Sequence, residues 1–127
     1  MSIPMRQIDD FFSGYARALG ARDIPAIASH WGVPTLVLSD LGAIVATRME
    51  EVEAFFASSM EQYAKVATAH ANIRSVSALS DTVASCQVAW EHRDGAGNVV
   101  GGEQGHYLLK HDGTALHIHS YTPGSLT

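Results

Sequence analysis

Thr82-Val-Ala-Ser-Cys-Gln-Val-Ala-Trp-Glu-His92 alternates, with Cys86, Val88, Trp90 and His92 on one side of an extended chain and Gln87 and Glu91 on the other. A period of two marks a half-buried β-strand. Three further stretches read the same way: His70–Leu79, Val99–His111 and Ala115–Thr122. Turn-forming residues at Ser80-Asp81, Asp94-Gly-Ala-Gly97 and Asp112-Gly113 separate the four, so the second half of the chain reads as long strands joined by hairpins. Gly101-Gly102 marks a bulge where the long third strand bends.

Towards the N-terminus the period changes. Ile8, Phe11, Phe12, Tyr15, Ala16 and Leu19 recur at spacings of three and four, which predicts an amphipathic helix from about Met5 to Leu19, stopped by Gly20. Asp23 is placed to cap a second, short helix, with Pro25 near its start. Thr35–Leu38 and Ala43–Ala46 read as two short strands joined at Ser39-Asp40-Leu41-Gly42. Thr47 and Glu50 have the spacing of a capping box. They predict a third helix that runs to Tyr63 or Val66 and buries Val52, Phe55, Phe56, Met60 and Tyr63. Helices first and strands afterwards give an α+β fold, three N-terminal helices packed on a strongly curved antiparallel sheet.

The 127 residues carry 8 Lys+Arg against 13 Asp+Glu, a formal charge of −5. Such a chain lacks the basic face of a nucleic-acid reader. With 46% hydrophobic and 17% charged residues it reads as one globular domain over residues 1–127. Cys86 is the sole cysteine, which excludes an intrachain disulfide and a Cys-rich zinc site. Inside a strand with no basic neighbour, it reads as an inert buried thiol. No apolar signal core opens the chain and no run is long enough to span a bilayer, so the expectation is a cytoplasmic protein without membrane association.

The order of elements resembles the NTF2-like superfamily, in particular its SnoaL-like and DUF4440-type branches. The likeness runs from Ile8-Asp-Asp-Phe-Phe-Ser-Gly-Tyr15 through Val52-Glu-Ala-Phe-Phe56 and Ile73–Ala84 to the hairpin Tyr107-Leu-Leu-Lys-His-Asp-Gly113, and ends at Pro123. One departure is Ala115-Leu116, where many relatives have Trp after the Asp-Gly turn. The resemblance implies a cone whose concave sheet and helices enclose a pocket, commonly in a homodimer. It spans isomerases, dehydratases, polyketide cyclases and non-catalytic binding or assembly domains, so it does not choose a reaction.

The candidate site is rich in histidine. Alternation groups His117, His119 and Tyr121 on the last strand, and a two-residue turn at Asp112-Gly113 pairs Leu108 with His117 and His106 with His119. Imidazole titrates near neutrality and suits proton transfer in a pocket. His106 and His119 are therefore candidate catalytic groups, and His117 and Tyr121 ligand-binding ones. The same histidines have the types of a metal site but no carboxylate obviously beside them, so hydrogen bonding to a ligand is expected rather than metal. Asp40 is the third catalytic candidate. Its stretch is similar to the region in which ketosteroid isomerases of this superfamily carry a proton-shuttling Asp, one residue shorter and without their proline; the plainer reading is an Asx turn. Tyr15, Trp31 and Tyr63 from the helical half are placed to close the pocket mouth, and Trp90 to line it. The expected activity is cofactor-independent isomerisation, dehydration or cyclisation. Its alternative is a non-catalytic binder of a small apolar or acidic ligand.

Overall fold

Three helices precede the long strands in the computed structural model, which describes residues 3–124, Gln62 by its backbone alone. Helix α1 (Met5–Ala21) buries Ile8, Phe12, Tyr15, Ala16, Ala18 and Leu19, the face set by their spacing. It runs through Gly20, where the glycine is needed for packing: a Cβ there would sit 3.2 Å from the Ala67 carbonyl oxygen. The helix stops at Arg22, left-handed at φ 53°, whose backbone N–H bonds back into the last turn. Helix α2 (Ile24–Ala28) is capped as expected, the Asp23 carboxylate accepting from the Ala26 N–H at 3.2 Å. Helix α3 (Met49–Ser59) passes into a 3-10 turn, Met60–Tyr63. Its start is closed by Glu51 rather than Glu50. The Glu51 carboxylate accepts from the backbone N–H groups of Thr47 and Arg48 at 2.9 and 3.1 Å, because Arg48 is the cap.

The strands are β1 (Trp31–Ser39), β2 (Gly42–Ala46), β3 (Thr68–Ala78), β4 (Val83–Arg93), β5 (Val99–His111) and β6 (Leu116–Pro123). They form one six-stranded sheet in the order β2-β1-β6-β5-β4-β3. β1 and β6 run parallel and every other pair antiparallel. The sheet is therefore mixed rather than wholly antiparallel. α3 carries the chain from β2 across to β3 at the far edge, and the β3–β6 meander returns beside β1 in the same direction. Alternation on β4 holds throughout, with Ala84, Cys86, Val88, Trp90 and His92 buried on the helix-covered face.

Both predicted irregularities take a different form. On β5 the extra residue is Val100, between the pairs His92–Gly101 and Arg93–Val99. Gly102 beside it lets the chain approach β4, since a Cβ would lie 2.5 Å from the Trp90 carbonyl oxygen. The β5–β6 turn has four residues rather than two, for the first pair is His111–Leu116. Asp112 holds that wider turn open, its carboxylate accepting from the Thr114 and Ala115 N–H groups at 2.8 and 2.9 Å.

Two histidines are packed into this layer. The half-buried His30 lies with its ring centroid 5.2 Å from those of Phe11 and Tyr15, and the buried His92 lies 5.5 Å from Tyr63. Burial lowers the pKa of both. The unfolded chain therefore binds more protons than the native one just below the ordinary histidine pKa of about 6.5. Stability from these sites is present above that pH and lost below it. The urea midpoint should fall between pH 7.5 and 5.5, less so in a His92→Leu variant; equal slopes would show that His92 is not held neutral.

Candidate functional site

An inner chamber of about 80 Å³ lies between the helices and the sheet, and tyrosines dominate it. Tyr15 enters from α1, Tyr63 from the 3-10 turn, Tyr107 from β5 and Tyr121 from β6, with Trp31, Phe55 and Phe56 as apolar wall. Glu103 is the one ionisable carboxylate among the lining side chains.

Two of the tyrosines are each held by a tryptophan. Trp31 Nε1–H donates to the Tyr15 hydroxyl at 3.0 Å and Trp90 Nε1–H to the Tyr107 hydroxyl at 2.9 Å, all four side chains buried. Since an indole only donates, each phenol oxygen here is an acceptor and its own O–H is left to donate elsewhere. Burial pushes the Tyr15, Tyr63, Tyr107 and Tyr121 phenols up, so all four stay protonated donors at neutral pH. Burial also raises the Glu103 carboxyl above its ordinary value. Glu103 is nonetheless exposed as a residue, so the chamber reaches solvent beside it.

Tyr121 owes its place to a bulge. The pairs Leu109–Ile118 and Leu108–Ser120 leave His119 as an extra residue, and beyond it Tyr121 pairs with Tyr107 on the covered face, ring centroids 4.8 Å apart. Gly105 makes room for it, for a Cβ there would meet Tyr121 Cε1 at 2.5 Å. The expected grouping of His117, His119 and Tyr121 on one face is therefore corrected. So are the pairs Leu108–His117 and His106–His119: the four-residue turn gives Lys110–His117, and the bulge gives His106–Thr122.

His106 lies on the outer face, its Nε2 at 2.8 Å from Gln87 Nε2. His117 lies opposite Lys110, with Nδ1 3.4 Å from the Asp112 carboxylate. His119 reaches across to β1, its ring over Gly32 and its Nδ1–H donating to the Pro34 carbonyl at 2.8 Å. None of the three lines the chamber. Asp40 occupies the exposed tip of the β1–β2 hairpin, also outside that lining. Trp90 stands behind Tyr107 and supports it, while Tyr15, Tyr63 and Tyr121 converge in the chamber. Among the described residues no group of three or more His, Cys, Asp or Glu side chains gathers to hold a metal. Nor is any described helix long and apolar enough to cross a membrane.

A sequence profile described as NTF2-like protein (DUF6841) matches residues 6–125. The chain belongs to this NTF2-like family. Solved NTF2-like structures carry the same cone at low identity. An NTF-2-like protein of unknown function from Shewanella oneidensis superposes with a TM-score of 0.73 at 14% identity, covering 97% of this chain and 100% of the other. A ketosteroid isomerase-like protein from Erwinia carotovora atroseptica gives 0.71 at 21%, covering 96% and 95%. A cystatin-like-fold protein from Nostoc punctiforme gives 0.74 at 12%, covering 94% and 76%. At these identities the likeness establishes the fold alone. No curated protein matches the chain.

Glu103 and Tyr107 line the chamber without standing among the candidates read from the sequence. One signal could have found them. Counting in twos along Glu103-x-Gly105-x-Tyr107-x-Leu109 puts the carboxylate on the same side of β5 as Tyr107 and Leu109.

Proposed function

We propose that this NTF2-like chain binds a small neutral carbonyl compound in the tyrosine chamber and moves a proton at the carbon beside the carbonyl. The observation that carries the reading is the placement of one carboxyl with a raised pKa, Glu103, against buried phenols whose O–H groups are free to donate. Proton abstraction next to a carbonyl needs a base and donors for the oxygen that gains charge. Glu103 supplies the first, and Tyr15, Tyr63, Tyr107 and Tyr121 the second. A raised carboxyl pKa brings the base closer to the pH at which it both accepts and returns a proton. The reaction class is cofactor-independent isomerisation, dehydration or cyclisation, the set that the NTF2-like resemblance implies. A carboxylate at the chamber disfavours an anionic ligand, which narrows the expected apolar or acidic ligand to a neutral one.

Butan-2-one, titrated into the protein and followed by NMR, should perturb the chamber and bind about threefold to tenfold more weakly to Tyr121→Phe, the loss of one hydrogen bond. Equal affinity for the two proteins would remove Tyr121 from the site. A non-catalytic binder would show the same titration without proton exchange.

We also propose a homodimer formed by the outer sheet face, where Leu108 is 38% exposed among Ser85, Ser120 and Thr122. Light scattering at tens of micromolar should give about twice the chain mass of 13.6 kDa. A monomer there would refute it.

A further inference from the structure

A second chamber of about 110 Å³ lies between the β1–β2 hairpin and α3. Val37, Ile44, Ala46 and Val52 make it apolar. It shares Trp31, Phe55 and Phe56 with the tyrosine chamber, so one aromatic partition stands between the two. Phe55 is only partly buried, whereas Trp31 and Phe56 are fixed in the core, their ring centroids 5.6 Å apart. Phe55 is the member of the partition with room to move.

The hairpin chamber holds one unexplained polar group. Thr35 lines it and is 5% exposed, and its Oγ1 is shut off from water with no hydrogen-bond partner. A buried hydroxyl without a partner is costly, and rotation about χ1, which exchanges Oγ1 with the methyl, lets a molecule in the chamber satisfy it. Glu51, at the rim, is ionised and already held by the Thr47 and Arg48 amides. It opposes a second negative charge there.

We infer that the two chambers form one bipartite site for an elongated neutral molecule: a carbonyl head among the tyrosines and a short aliphatic tail in the hairpin chamber, ending in a hydroxyl that bonds Thr35. The inference rests on the carbonyl reading of the tyrosine chamber. A cavity of roughly 150 Å³ accepts benzene, so the smaller hairpin chamber takes a tail of about four or five carbons. Displacement of Phe55 opens the apolar passage between head and tail, and the two carboxylates, Glu103 and Glu51, exclude fatty acids and other anions at either end.

The test uses methyl ketones from butan-2-one to octan-2-one, titrated into the whole protein by NMR. Affinity should rise about fourfold per methylene until the chamber is full and then level off. Ala46→Leu, which occupies the chamber, should flatten the series and leave butan-2-one binding within twofold. Thr35→Val keeps the side-chain shape and breaks no existing bond. It should weaken 6-hydroxyhexan-2-one about tenfold while leaving heptan-2-one unchanged. Butan-2-one bound with no gain along the series, or an equal gain in Ala46→Leu, would overturn the bipartite site and leave the carbonyl reading standing. Failure of butan-2-one itself to bind would overturn both.

Discussion

Glu103→Gln should slow exchange of the protons beside the carbonyl of bound butan-2-one by about two to four orders of magnitude, the usual share of a positioned general base. The substitution keeps volume, shape and an acceptor oxygen while removing proton transfer at pH 7. Affinity should therefore stay within a few-fold and the loss should fall on the rate. In deuterium oxide the readout is the disappearance of the ketone's α-CH signals with catalytic amounts of protein. Asp40→Asn serves as the companion, because Asp40 lies on the exposed hairpin tip and exchange should proceed there unaltered. Exchange lost in Asp40→Asn and retained in Glu103→Gln would transfer the base to Asp40. Glu103→Gln should also stabilise the protein above the ordinary glutamate range: a carboxyl raised in the native state binds more protons there than in the unfolded chain, so native stability falls as pH rises through that window.

The largest loss of stability is expected from Phe12→Ala, about 3–5 kcal/mol. Phe12 is 1% exposed, and its ring meets Phe11 and Tyr107 at centroid distances of 5.3 Å and Trp90 at 6.5 Å, all edge-on. Truncation removes the transfer energy of the ring and leaves a cavity against Tyr107 that a rigid sheet cannot close. The effect is a large part of the roughly 5–15 kcal/mol that holds a domain of this kind together. Urea unfolding should show it as a lowered midpoint. A loss below about 1 kcal/mol would mean that α1 is not anchored to the sheet through this ring.

The elements were legible in the sequence because burial imposes a period, and the helix face of Phe12 and the β4 face of Trp90 follow from counting alone. Parallel pairing of β1 with β6 was not legible, since local patterns carry no information about which distant strand lies alongside. The β5–β6 register departs from the expected one at two residues. Asp112 widens a turn that its Asp-Gly sequence suggests is tight, and His119 enters β6 as a bulge. The wider turn moves the pairing by two residues and leaves the faces as they were, whereas the bulge turns Tyr121 inward onto Tyr107 and sets His106 opposite Thr122. A register error of one residue exchanges the two faces of a strand. The tyrosines from the helical half were readable as pocket residues, whereas Glu103 stands between Gly102 and Gly105 at the exposed start of β5, where no apolar alternation marks a face.

Whether the tyrosine chamber receives a carbonyl oxygen is decided by the carbon-13 shift of [2-13C]butan-2-one on binding. Phenol donors polarise the carbonyl, so the resonance should move downfield in the wild-type complex and return most of the way in a Tyr15→Phe, Tyr121→Phe double variant. A bound ketone whose carbonyl shift equals that in water, or is the same in the double variant, would show that the chamber phenols do not hold its oxygen.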